Sequence, residues 1–287
     1  MNHEQHQANG LTSMSTKPTP WLCIAGAKGG VGKTMLACNL SLLLARAGYR
    51  TLLVDFDLGT GNVGVQLRLQ GGYDLDDVAT HRCSVHEAIV QGPGRLQVLL
   101  GRSGPTDLTS SSPAHIAELL RTIRTAANDY DVVVFDTGAG LNPSMLAIAE
   151  QCDLTLGVTT PEVTSLTDAY ALCKVLHARG CALPHLVINR TRSRDEAMRT
   201  AAKLNAVTEK FLSTKSVLAG WISLDPQIET SIRSQRPLTL FAACQGLEDL
   251  SSICAAALAS LPAMKRRQDP RTESVRQVRL RPSVPQA

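Results

Sequence analysis

The sequence predicts an α/β fold with a mostly parallel central sheet and helices on both faces. Three observations carry that prediction. Short apolar runs of strand length alternate with helix-length segments from residue 21 to residue 262, the order that strand–helix–strand units require. The run D-V-V-V-F-D at 131–136 is nearly continuous in its apolar character, as suits a strand buried on both faces. A glycine-rich turn follows the first run directly, where a strand feeds a helix.

Taken in order, W-L-C-I-A at 21–25 is the first strand, and 33–47 has helical spacing that ends at Gly48. A second strand at 51–55 and a third at 96–100 precede a helical pattern at 113–127. The runs 131–136, 154–159, 183–189 and 217–222 continue the strands, with helical segments at 142–151, 165–178 and 194–212 between them. The last segment, 247–261, sets Leu247, Leu250, Ile253, Leu258 and Leu261 largely on one helical face. The organisation expected is a flexible segment 1–20, one domain 21–262, and a flexible basic tail 263–287.

Composition narrows the function classes. Of 287 residues 44% are hydrophobic but only 3% aromatic, so the core is built from Leu, Val, Ile and Ala. No run approaches the ~18 apolar residues of a membrane span, and residues 1–20 lack the basic-then-apolar layout of a secretory signal; a cytoplasmic protein is expected. None of the eight cysteines forms a C-x-x-C pair, which argues against zinc or a redox dithiol. The formal net charge of +4 is uneven: seven basic and two acidic residues after 263 give +5, leaving the rest of the chain at −1. Such a tail is either a solvated, disordered end or a weak contact for anionic lipid or nucleic acid. Nucleic acid is not expected as a partner of the near-neutral body.

Residues 23–35 read C-I-A-G-A-K-G-G-V-G-K-T-M. Strand, glycine-rich turn, Gly32-Lys33-Thr34 and helix make a phosphate-binding loop: the glycines let several N–H groups converge on one anion, and the helix adds its positive dipole end. Lys33 is placed to reach the β- and γ-phosphates, and Thr34 to offer its hydroxyl to Mg²⁺. The general pattern G-x-x-x-x-G-K-[ST] is broken by Ala27, while 28–34 is intact. Asp57, just past the second strand, and Asp136, at the end of D-V-V-V-F-D, are carboxylates at the C-terminal ends of strands, facing the crevice of the loop. Asp55 reads as a strand-end acid near the metal's outer shell.

The heptad K-G-G-V-G-K-T resembles the deviant Walker A motif of the MinD/ParA family of P-loop NTPases. That resemblance implies ATP and Mg²⁺ as ligands. It places Gly29, Gly30, Val31, Gly32, Lys33, Thr34 and Met35 around the phosphates, and Asn189 and Arg190, ending L-V-I-N-R, at the adenine. It sets Thr34, Asp57 and Asp136 around the metal and makes Lys28, Lys33 and Asp57 the catalytic set. Lys28 would cross to the nucleotide of a second subunit, so that ATP makes the homodimer; the alternative is a solvated loop lysine. Asp57 would position the attacking water, and 57–62 and 136–141 would be switch loops that sense the γ-phosphate.

Further along, S-L-T-D-A-Y-A-L at 165–172, Phe211-Leu212, G-W-I-S-L-D at 220–225 and S-Q-R-P-L at 234–238 resemble the FlhG branch (FleN or YlxH) of that family, the regulators of flagellar number and placement. The resemblance implies a slow, partner-stimulated ATPase that acts through an FlhF-like GTPase or a flagellar transcription regulator, with peripheral membrane contact. H-Q-A-N-G-L-T at 6–12 resembles the element that stimulates the GTPase, with His6 for its acid and Thr12 for its arginine. Segment 247–261 contains no basic residue and is expected to cover the sheet rather than bind lipid. The alternatives are a ParA-type partition ATPase and a MinD-type division-site ATPase. An iron-protein reductase lacks its paired cysteines and a tyrosine kinase its tyrosine-rich tail.

Overall fold

The computed structural model describes residues 18–102, 104 and 112–263. The elements run β1 (Trp21–Ala25), α1 (Lys33–Arg46), β2 (Thr51–Phe56), α2 (Val63–Leu67), α3 (Leu75–Ala79), α4 (Val85–Ala88), β3 (Ile89–Gln91), β4 (Gln97–Leu99), α5 (Pro113–Ala126), β5 (Val132–Thr137), α6 (Pro143–Gln151), β6 (Leu154–Thr159), α7 (Val163–Ala178), β7 (His185–Thr191), α8 (Arg194–Leu212), β8 (Leu218–Ser223), α9 (Pro226–Arg233) and α10 (Gln245–Ser260). The eight strands form one sheet in the order β3-β4-β2-β5-β1-β6-β7-β8. Every pairing is parallel except β3 with β4.

The apolar runs are explained by burial on both faces. Along β1, Leu22 and Ile24 point into one core while Trp21, Cys23 and Ala25 point into the other, the twofold alternation of a strand. In β5, Val132 and Val134 join the first core, and Val133 and Phe135 the second. The first core lies under α1 and α10 and the second under α3 to α7. A smaller one joins Ala169 of α7 and Ala197, Ala201 and Leu204 of α8 to Leu186 and Ile188 of β7.

The expected strands and long helices are all present. The elements that the sequence did not announce are short: β3 has three residues, and α2, α3 and α4 four or five, fewer than periodicity needs to register. Helix α9 was legible in principle, since Asp225 caps it and Pro226 opens it, the usual chemistry of a helix start. The readings of 6–12 and of the basic tail fall outside the described residues. No helix among the described residues is long and apolar enough to cross a membrane.

Helix α10 covers the sheet, as its lack of basic residues suggested. Leu250, Ile253, Cys254 and Ala257 are buried in the first core. A Cβ at Gly220 of β8 would lie 2.6 Å from Cγ1 of Ile253, so the helix sits directly on that strand. Ile253→Ala is expected to cost about 2–4 kcal/mol in urea denaturation; a loss below about 1 kcal/mol would show that α10 does not bear on the core in this way.

Candidate functional site

Strand β1 lies between β5 and β6. The loop that leaves its C-terminal end therefore opens into the crevice where parallel α/β sheets bind ligands. Gly32, the last loop residue, has φ +103°, and a Cβ there would stand 2.3 Å from Nδ2 of Asn189; only glycine meets both demands. The same Asn189 amide donates to the Val31 carbonyl at 2.7 Å, which ties the loop to β7. Helix α1 starts at Lys33 with no side-chain cap and no acid in its first turn, so its leading N–H groups are available to an anion. Lys33 is buried beneath the loop, its Nζ 3.5 Å from the Lys28 carbonyl. Burial lowers its pKa, and the charges of Asp136 and Asp57 oppose that shift.

Two acids stand side by side below the loop, because β2 and β5 pair with Asp55 opposite Asp136. Both are fully buried, and they differ in their partners. Asp55 accepts the N–H of Asp57 at 3.3 Å and of Val63 at 3.1 Å. Burial nevertheless pushes its carboxyl up to about 6. The sequence read Asp55 as a strand-end acid near the metal's outer shell; its oxygens accept backbone N–H groups of the loop that follows. Asp136 has the opposite character. The Thr34 hydroxyl and the Lys33 ammonium favour its charged form, but desolvation and the charge of Asp55 outweigh them and hold its pKa well above the ordinary carboxylate range. Neither of its oxygens meets a protein donor at hydrogen-bonding geometry. A dry carboxylate with two open oxygens beside the Thr34 hydroxyl has the donor chemistry of a hard divalent cation site, so Thr34 and Asp136 fit Mg²⁺.

Asp57 opens the loop that leaves β2, its N–H on the Asp55 carboxylate. A Cβ at Gly138 would come within 2.7 Å of its Oδ1, so the loops after β2 and β5 touch through this carboxylate. A cavity of about 260 Å³ opens beside them, lined by Asp57, Leu58, Gly138 and Asn142. A larger cavity of about 500 Å³ lies beyond Gly32, with Met35, Asn189, Arg190, Leu224, Ile228 and Ile232 among its lining residues. Its apolar walls and the Asn189 amide suit a flat heterocycle. Asn189 Oδ1 accepts the Arg190 N–H at 2.8 Å, which leaves the side chain one N–H and one lone pair for a ligand. Arg190 is held at φ +58°. The α9 wall of this cavity, Ile228 and Ile232, was missed in the sequence.

Gly29 and Gly30 form the exposed crest of the loop. Lys28 sits at its rim, and its Nζ donates to Glu162 Oε2 at 2.8 Å and to Thr164 Oγ1 at 3.0 Å, both of its own chain. That pair also lowers the pKa of Glu162. Val163 between them is the most exposed large apolar residue among the described residues, at 80%. Nothing in the sequence spacing marks Glu162 and Thr164 as partners of Lys28, because 134 and 136 residues separate them.

A glycine loop at a helix start, a buried lysine and a partnerless acid at the end of the neighbouring strand define a P-loop nucleotide-binding protein. Residues 22–238 match the family profile of the CobQ/CobB/MinD/ParA nucleotide binding domain, and the chain belongs to that family, as a MinD/ParA-type ATPase. The antiactivator FleN of Pseudomonas aeruginosa is 35% identical over 77% of this chain and 80% of its own length. The septum site-determining protein MinD of Bacillus subtilis is 33% identical over 60% of this chain and 65% of its own. Among solved structures, the cell division ATPase MinD of Pyrococcus furiosus superposes with a TM-score of 0.72 at 24% identity, covering 84% of this chain and 98% of that one. MinD of Pyrococcus horikoshii, solved with Mg-ADP, has a TM-score of 0.71 at 24% identity, covering 83% and 96%.

The state of Asp136 has a measurable consequence. An acid with a raised folded pKa stabilises the fold fully below its unfolded pKa of about 3.9, and that contribution is lost as pH rises toward the folded value. At pH 7.5 without nucleotide or Mg²⁺, Asp136→Asn is therefore expected to stabilise the chain by about 1–3 kcal/mol, a gain that shrinks toward pH 4, while it abolishes ATP turnover. An unchanged or lower urea midpoint at pH 7.5 would contradict the uncompensated carboxylate.

Proposed function

We propose that this chain is an ATP-driven dimerising switch. Two molecules enclose two ATP, slow hydrolysis separates them, and the ATP-bound pair regulates the number or placement of flagella. The observation that carries the reading is the division between the two lysines. Lys33 is buried under its own loop, whereas Lys28 stands at the exposed rim on the side of Val163. An ammonium there is poorly used on its own nucleotide and well placed for a facing subunit's.

The phosphates would rest on the loop N–H groups of residues 29–33 and the first turn of α1, with Lys33 on the β- and γ-oxygens. Mg²⁺, held by Thr34 and Asp136, would supply charge that neutralises the β- and γ-phosphates. Asp57 would orient the attacking water, and Asn189 and Arg190 would hold the adenine. Pairing requires Lys28 to leave Glu162 for the partner's triphosphate. The resting pair is exposed and weakly restraining, so nucleotide can drive the exchange. Loss of the γ-phosphate removes what holds the loops after β2 and β5 in contact across the interface.

The likeness to FleN, an antiactivator, supports a transcription activator as the target. An FlhF-like GTPase, addressed by residues 6–12, is the second partner of this reading. Peripheral membrane contact would fall to the basic residues after 263, because the apolar face of α10 is in the core.

Lys28→Ala is expected to retain ATP binding yet stay at monomer mass in light scattering with excess ATP and Mg²⁺; a dimer under those conditions would refute the shared-lysine sandwich. Asp57→Ala is expected to accumulate as an ATP-bound dimer, since phosphate ligation persists while water is misplaced. Used as bait in a native lysate, that trapped dimer should recover a flagellar regulator or GTPase. Recovery of DNA in its place would overturn the flagellar reading in favour of partition.

A further inference from the structure

We propose that Asp55 is a positioning residue for hydrolysis: its carboxylate binds the backbone of the loop that carries Asp57 and fixes that loop without touching nucleotide or metal. The proposal rests on the reading of Asp57 as the acid that orients water. Three segments converge on the Asp55 side chain. Oδ1 accepts the N–H of Asp57 at 3.3 Å, from the start of the loop. Oδ2 accepts the N–H of Val63 at 3.1 Å, from the first residue of α2, where the loop ends. The Gly101 N–H, just past β4, also faces the carboxylate and favours its charged form. One buried side chain thus holds both ends of the 57–63 loop and fastens them to the neighbouring strand.

The surroundings are shaped for this convergence. A Cβ at Gly101 would lie 2.8 Å from the Asp55 carbonyl oxygen and 3.1 Å from its Cγ. A Cβ at Gly61 would lie 2.7 Å from the Gly101 carbonyl oxygen and 3.1 Å from Asp55 Oδ2. Neither glycine has a positive φ, so what each provides is room for backbone to approach the carboxylate. The Asp57 carbonyl accepts from Thr60, and the Gly59 carbonyl from Gly104, which stiffens the loop between its fixed ends. The contrast with Asp136 assigns the roles. The acid of β5 faces side chains, the Thr34 hydroxyl and the Lys33 ammonium, whereas the acid of β2 faces backbone N–H groups. Small displacements of a catalytic group are costly: about 1 Å can lose ~10²-fold in rate.

The test is a kinetic cycle on the full chain, with single-turnover hydrolysis of labelled ATP so that slow rates are read. Asp55→Asn keeps one acceptor and turns an amide N–H against the backbone donors. It is expected to slow hydrolysis about 10–100-fold, with the KM for ATP and the half-saturating Mg²⁺ concentration within about twofold of native. In an Asp57→Ala background the same change is expected to slow hydrolysis no further, because Asp55 acts through Asp57. Should Asp55→Asn fail to fold, Gly101→Ala, which presses a methyl group onto the same carboxylate, carries the same cycle. Multiplying losses in the double variant, a rise in the Mg²⁺ requirement, or an unchanged rate in Asp55→Asn would each overturn the proposal. Native turnover by Asp57→Ala alone would instead remove the role of Asp57 on which the proposal rests.

Discussion

A carboxylate with no exposed surface, whose burial the neighbouring Thr34 and Lys33 do not offset, is the constraint around which this molecule is organised. Asp136 is in that position because β5 lies at the heart of the sheet, between β2 and β1. Its burial is costly to the empty chain. Proteins retain such a cost where function needs it. Thr34 and Lys33, brought in by the start of α1, lie on the side from which a cation and a triphosphate would relieve it.

The sheet order is what gathers the site. Placing β1 beside β5, and β5 beside β2, brings the phosphate loop, Asp136, Asp55 and, just past β2, Asp57 to the C-terminal end of the sheet. The crossover to β6 and β7 then delivers Asn189 beneath Gly32, where its amide holds the Val31 carbonyl. Each component is thereby held by strand pairing rather than by loops alone, as suits groups that must hold their positions to fractions of an ångström. The 57–63 loop is tied at both ends to Asp55, whereas Lys28 is tied to the surface by one exposed ion pair.

Much of this was legible in the sequence, and the reasons differ from element to element. The buried strands announce themselves because both faces are apolar, and α8 appeared with its bounds intact because nineteen residues give periodicity room to show. The phosphate loop is legible because it is local, with all its chemistry within residues 28–35. Asp136 could be placed because an acid ends an apolar run. The partners of Lys28 could not, since α7 reaches the loop only through the order of the sheet. Asp55 was legible as a strand-end acid but not as a loop clamp, because its donors at Val63 and Gly101 are backbone groups that carry no residue signature.

Calorimetry of ATP binding, with and without Mg²⁺ and in buffers of differing ionisation enthalpy near pH 6, tests most directly whether the buried acid of β5 awaits a cation. Metal binding requires a deprotonated carboxylate, so the account predicts binding at least about tenfold tighter with Mg²⁺ than with EDTA, and, with preformed Mg-ATP, a proton release that Asp136→Asn lacks. Equal affinity in EDTA, with no proton released to the buffer, would contradict it.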